Sequence, residues 1–228
     1  MKNLDRDSIE YTLLCIQGGL FDAVTPDLRA VVFDLYEDRK RLFLRFYYDG
    51  DVSEEDIEGW NCSITEASSG MGIRSDNEQI ERLDFPKPIP FLGPNEGGGY
   101  LAFLRLEPGS AELDPARIVH LNPMEEDDPY PEAYALLAAS NALLGKISPE
   151  LRAVIVEVPP GTTLFNIHFI YDGESLSEKI RLWESVGLEI CSRMDPKYTC
   201  DIKITRIDFP QKISGPGRCA YFRKEPQL

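Results

Sequence analysis

Six acids crowd into one short stretch of this chain: Asp49, Asp51, Glu54, Glu55, Asp56 and Glu58, within "DGDVSEEDIE". A second run, Glu125, Glu126, Asp127 and Asp128, stands near the middle of the sequence. Clustered oxygens can hold calcium, paired carboxylates can do acid–base work, and a block of negative charge can dock a basic protein. Calcium fails on detail. A loop register starting at Asp49 has neither Gly at its sixth position nor Glu at its twelfth. With 39 acids in the chain, many carboxylate pairs are conceivable and none is singled out. Docking is the chemistry these runs fit best, with plain solvation of a helix start as the alternative.

Other chemistry is scarce. The two histidines are His120 and His168, and neither stands near a Cys or Ser in a triad-like phrase. His168 falls mid-strand and reads as structural. Zinc needs several N or S ligands at close spacing, which nothing here supplies. "GPNEGGG" (93–99) is glycine-rich, but it lacks the Lys of a phosphate-binding loop and carries a Glu, so it reads as a hairpin loop. No catalytic residue, metal site or cofactor is expected. "RLDFP" (82–86) and "RIDFP" (206–210) place an Arg and an Asp two residues apart, on one face of a strand. The expectation is a structural ion pair or a cap on a neighbouring turn.

The elements that must position these residues come in duplicate. "TPDLRAV" (25–31) returns as "SPELRAV" (148–154). The same offset of 123 carries Tyr11 to Tyr134, "YDG" (48–50) to "YDG" (171–173), and Trp60 to Trp183. "RLDFP" then meets "RIDFP", and "LRLE" (104–107) meets "FRKE" (222–225). The order is kept throughout, so this is an internal duplication. It predicts two similar domains or one pseudo-symmetric body.

Each copy reads helix, strand, strand, helix, strand, strand. Ile9, Leu13, Ile16 and Leu20 make a helical stripe, matched by the Ala- and Leu-rich 131–146. Strands follow at 28–37 and 151–158. Leu42, Leu44, Phe46 and Tyr48 alternate along the next strand, as do Phe165, Ile167, Phe169 and Tyr171. Period two with one apolar face predicts a half-buried antiparallel strand. Ser53 is a candidate N-cap for a helix whose first turn is acidic. Two strands close each copy, at 78–86 and 99–107, and at 200–209 and 218–224. The fold class is therefore α+β, two tandem α-β-β-α-β-β repeats, each a mainly antiparallel four-stranded sheet covered by helices. The domain reading is an acidic first repeat at 1–108, a proline-rich acidic linker at 109–130, extended rather than folded, and a second repeat at 131–228.

Net charge is −15, which disfavours nucleic acid and anionic membrane as partners. Its distribution is uneven. Residues 1–110 carry 11 basic and 21 acidic side chains, residues 111–133 carry 1 and 7, and residues 134–228 carry 12 and 11. The acidity belongs to the first copy and the linker, not to the shared fold. No apolar run is long enough to span a membrane, and the charged N-terminus lacks a signal core. Cys15, Cys62, Cys191, Cys200 and Cys219 are odd in number and scattered, as expected of a reduced cytoplasmic protein.

The phrases "LLGKISPELRAV", "FIYDGESLSE", "RIDFP" and "YFRKE" resemble those of small acidic bacterial immunity proteins of the colicin-like and contact-dependent growth-inhibition toxin type. The resemblance covers the second copy and, more loosely, the first; the tandem arrangement departs from the family's single unit. It implies a non-enzymatic cytoplasmic inhibitor, monomer or homodimer, that binds a cognate basic toxin domain of the nuclease type. Partner-binding candidates are Asp51, Glu54, Glu55, Asp56 and Glu58, with Glu125, Glu126, Asp127 and Asp128. Alternatives are an acidic scaffold or regulatory protein without a toxin partner, or a carboxylate-dependent hydrolase.

Overall fold

The computed structural model describes residues 8–225 apart from 22, 37–39, 76–78, 91–98, 108–114, 123, 125–129 and 175–176. Glu125, Glu126, Asp127 and Asp128 thus lie outside the described residues. In the first half, α1 (Ile9–Gly19) leads to β1 (Leu28–Tyr36), β2 (Arg41–Tyr48), α2 (Glu54–Met71), β3 (Arg74–Ser75), β4 (Gln79–Arg82) and β5 (Tyr100–Leu104). The second half repeats the order as α3 (Pro131–Leu143), β6 (Leu151–Glu157), β7 (Leu164–Tyr171), α4 (Ser177–Arg193), β8 (Thr199–Arg206) and β9 (Arg218–Phe222). The α+β reading and the repeat both hold.

The sheets are mixed. β1 runs antiparallel to β2 and β5, and β6 antiparallel to β7 and β9. β8 pairs with β7 in parallel, and β3 and β4 both pair in parallel with β2. A helix precedes each parallel strand and carries the chain back to its starting end, which a tight hairpin cannot do. The strand expected at 78–86 is shorter than its counterpart: β4 ends at Arg82, whereas β8 runs for 8 residues.

One cluster of buried apolar side chains draws on both halves, including Leu13, Ile16, Phe46 and Trp60 from the first and Tyr134, Leu137, Phe169 and Trp183 from the second. Trp60 and Trp183 are fully buried. Gly19 lets α1 lie against α2, since a Cβ there would come within 2.5 Å of the Ser63 carbonyl oxygen. Residues between the repeats contribute as well. Val119, Leu121 and Met124 are buried, and Pro115–Arg117 forms a short 3-10 turn.

β2 is not the half-buried strand that its alternation predicts. Both faces are covered. The second face, with Tyr47 of β2 beside Ala30 of β1, packs against Leu83, Ile89 and Ile118 from the loops. Arg45 on that face is accommodated by the rings of Phe43 and Tyr47, with its guanidinium 5.2 and 5.9 Å from their centroids.

The halves join by reciprocal backbone contacts. Val24 bridges Arg223, and its repeat equivalent Ile147 bridges Arg105, the equivalent of Arg223. Lys224 N–H donates to the Val24 carbonyl at 2.8 Å, and Leu106 N–H donates to Ile147 at 2.9 Å. The segment after each first helix therefore pairs in parallel with the residues just past the closing strand of the other half. Phe21 stacks on Phe222 across this seam, ring centroids 5.3 Å apart.

Candidate partner-binding surface

The shared phrases of the two copies meet at one end of each sheet and form a scaffold of buried charge. Arg29, in "LRAV", is 1% exposed. Its Nε and Nη2 donate to the Glu107 carboxylate at 2.6 and 2.8 Å, the paired geometry that suits a guanidinium. Its remaining donors reach the carbonyls of Leu83 and Lys87, which flank the "DFP" turn. Arg152 repeats this with Glu225, Ile207 and Gln211. Arg105 grips Asp49 of "YDG" through two hydrogen bonds of 3.1 and 2.7 Å, and Arg223 grips Asp172 in the same way. These four arginines hold the strand ends, the turns and the start of the acidic helix in fixed relation.

The "RxDFP" expectation is met on both counts. Arg82 Nε donates to Asp84 at 3.0 Å, and Asp84 accepts from Gly50 N–H; Arg206 and Asp208 do the same with Gly173. Gly50 and Gly173 sit at φ 76° and 72°, where a side chain would be strained. Hydrogen bonding to Arg82 holds the Asp84 carboxyl below its usual range, and Arg206 does so for Asp208. The pairs are half exposed, so solvent screens them. Arg82→Ala is expected to lower the melting temperature only slightly, whereas Asp84→Ala, which also frees the Gly50 turn, should lower it more. Thermal melts of the two variants decide the ranking.

The acid run splits into two roles. Ser53 caps α2: its hydroxyl accepts from Asp56 N–H at 3.1 Å while Asp56 accepts from Ser53 N–H at 3.3 Å. Asp56 also receives Lys224 Nζ at 2.9 Å, and Glu55 lies 3.2 Å from the same ammonium. Burial pushes the Asp56 carboxyl up, but the bonds from Ser53 and Lys224 outweigh it and the net shift is downward. Asp56 is thus engaged inside the molecule, tying the first half's helix to the second half's final segment. Asp51 is 97% exposed on its side chain and meets Arg82 at 3.0 Å. Glu54, Glu55 and Glu58 are exposed around the first turns of α2.

A cleft of about 550 Å³ opens beside this turn, lined by Thr25, Asp27, Asp56, Asp172, Phe209 and Lys224 among others. Burial, and then the charge of Asp49, push the Asp27 carboxyl up. At the equivalent place in the second half, Glu150 is paired with Lys179. Position 179 corresponds to Asp56 in the first half. The first half therefore places two acids, Asp27 and Asp56, where the second places an acid and a lysine, and the first half's Asp56 draws its cation, Lys224, from the other half.

The cleft's Asp56 and Asp172 are in ion pairs with Lys224 and Arg223. His168 Nε2 lies 2.9 Å from Thr205 Oγ1, with its pKa lowered by burial and by Lys203. All five cysteines are free thiols. Among the described residues no group of three or more metal-ligating side chains gathers, and no helix is long and apolar enough to cross a membrane. The sequence did not show the buried Arg29–Glu107 and Arg152–Glu225 pairs. The signal for them was an Arg inside an apolar strand phrase, recurring in both copies together with the recurring "R-x-E".

Residues 10–107 and residues 132–225 each match a family model described as MafI2 immunity protein. No curated protein matches the chain.

Proposed function

The chain belongs to the MafI2 immunity protein family, and from that premise we propose that it is a non-enzymatic cytoplasmic inhibitor that binds and masks a cognate basic toxin domain of the nuclease type. The observation that carries this reading is the family match in both repeats, which together take up most of the chain. Toxins that act on nucleic acid need positively charged surfaces, and an acidic protein is suited to cover them.

The recognition surface is the exposed part of the acid run: Asp51, Glu54, Glu55 and Glu58. Asp56 supports it from behind as the helix cap and the Lys224 partner. The charge split between the repeats favours the first repeat for this role. Exposed acids act chiefly on association rate, because they steer encounter rather than fill a pocket. Reversing Glu54, Glu55 and Glu58 to Lys is expected to slow association with the toxin domain about tenfold or more at low salt. Raising ionic strength should shrink the difference as the Debye length falls to about 8 Å. Matched reversal of Glu174 and Glu178 in the second repeat should do much less.

The decisive experiment pairs the chain with a candidate cognate toxin domain, sought among the genes that neighbour its own. Co-expression should restore growth of cells making that domain, and the two proteins should co-purify. Growth rescue without a complex would sink the binding mechanism. Equal slowing by both sets of reversals would show that the toxin reads overall charge rather than the first repeat.

A further inference from the structure

The two repeats differ at one sheet edge. In the first, the strand beside β2 is split into β3, of 2 residues, and β4, of 4 residues. In the second, β8 is unbroken over Thr199–Arg206 and stands at the end of the order β8-β7-β6-β9. Among the described residues no strand pairs with its outer edge. A long, regular, unpaired edge is a template for another strand.

The polarity of that edge can be worked out. Thr199 and Ile207 donate their N–H groups inward, to the carbonyls of Thr163 and Tyr171. In a parallel ladder the residues between alternate, so Cys200, Ile202 and Ile204 turn their N–H and C=O groups outward. The side chains of these three face α4 and are partly buried against the core. Asp201 and Lys203 are exposed on the opposite face. Beside the edge, Ile180 and Leu188 of α4 line a shallow cleft with Ile202 and Ile204, and Leu188 is 64% exposed. Gly187 lets the helix approach this closely, because a Cβ there would meet Ile202 at 2.8 Å.

We infer that β8 pairs with β8 of a second copy of this chain, antiparallel, about a two-fold axis at Ile202. In that register Ile202 meets its own copy as a hydrogen-bonded pair, which its outward N–H and C=O require. Asp201 then stands directly opposite Lys203 of the other chain, and Lys203 opposite Asp201. Those are non-hydrogen-bonded positions, where facing Cα atoms are closest, at about 4.5 Å. An axis at Asp201 would set Asp against Asp, and one at Lys203 would set Lys against Lys. Opposite charges facing across strands stabilise the pair and like charges destabilise it, so the edge selects one register. The axis also brings the two α4 helices to one side of a continuous eight-stranded sheet, covering the exposed Leu188 stripes. A two-fold contact of this kind is self-complementary and closes after two chains.

The test is solution mass by sedimentation equilibrium on the full chain and three variants. The wild type should weigh about twice the 25.8 kDa of one chain at high concentration. Asp201→Lys and Lys203→Asp should each raise the dissociation constant on the order of tenfold or more, because each replaces two attractions with two repulsions. The double exchange, Asp201→Lys with Lys203→Asp, should restore the dimer. Both positions are exposed, and recovery in the double exchange separates lost pairing from lost folding. A wild type that stays at 25.8 kDa at its highest soluble concentration overturns the inference. So does a dimer whose mass ignores both single reversals, since another face would then hold it.

Discussion

Arg29→Ala is expected to destabilise the protein by about 3–5 kcal/mol, the usual result of removing one partner from a buried ion pair. The cost comes less from the lost attraction than from what stays behind. Glu107 is 8% exposed and would keep its charge away from water after losing its paired guanidinium, with Arg105 3.3 Å away. The carbonyls of Leu83 and Lys87 would lose their donor as well. Replacing Arg29 and Glu107 together with apolar residues should recover part of the loss, because no buried charge is then stranded. It should not recover all, because the two carbonyls remain unmet. Arg152→Ala should cost less than Arg29→Ala, since Glu225 is 18% exposed and water can reach it. Denaturant midpoints for the three variants measure this order. An Arg29→Ala protein with an unchanged midpoint would remove the buried pair from the account of the fold.

Trp60→Ala should cost a similar roughly 3–5 kcal/mol, through lost burial and the cavity left behind. The more discriminating comparison keeps the ring. Trp60 Nε1 donates to the Ala23 carbonyl at 2.9 Å. Trp183 Nε1 is buried with no acceptor among the described residues. Trp60→Phe therefore loses a hydrogen bond and leaves a carbonyl unmet, and should cost about 1 kcal/mol more than Trp183→Phe. Both tryptophans otherwise occupy matching places, against Tyr48 and Tyr171 at 5.6 and 5.3 Å between ring centroids. Equal costs for the two Phe variants would mean that the Ala23 bond contributes nothing.

Much of this framework was legible in the sequence because duplication makes chance matches easy to discard. Two matching tryptophans and two "YDG" turns fixed the repeat, and hydrophobic periodicity placed both helices of each copy. Strand direction was less accessible. Period two shows which face is buried but not which way a strand runs. The parallel pairing of β8 follows from the course of α4, a tertiary fact. The second covered face of β2 is likewise made by Leu83, Ile89 and Ile118, distant in sequence. For the acid run, the charge was plain but its use was not. Only the fold shows that Asp56 meets Lys224, 168 residues away, while Glu54 and Glu58 face solvent.

The reciprocal bridges at the seam carry a consequence for the order of events during synthesis. Val24 waits for Arg223 and Lys224, so the first half's seam stays open until those residues, about 200 positions later, have left the ribosome. At about 5–20 residues per second, that delay is on the order of 10–40 seconds. Throughout it, Leu20, Phe21 and Val24, which line the seam together with Tyr221 and Phe222, lack their partners. The nascent first half therefore presents apolar surface of the kind that chaperones hold. Loss of Arg223 to Glu225 would leave both the seam and the Arg152 pair unclosed.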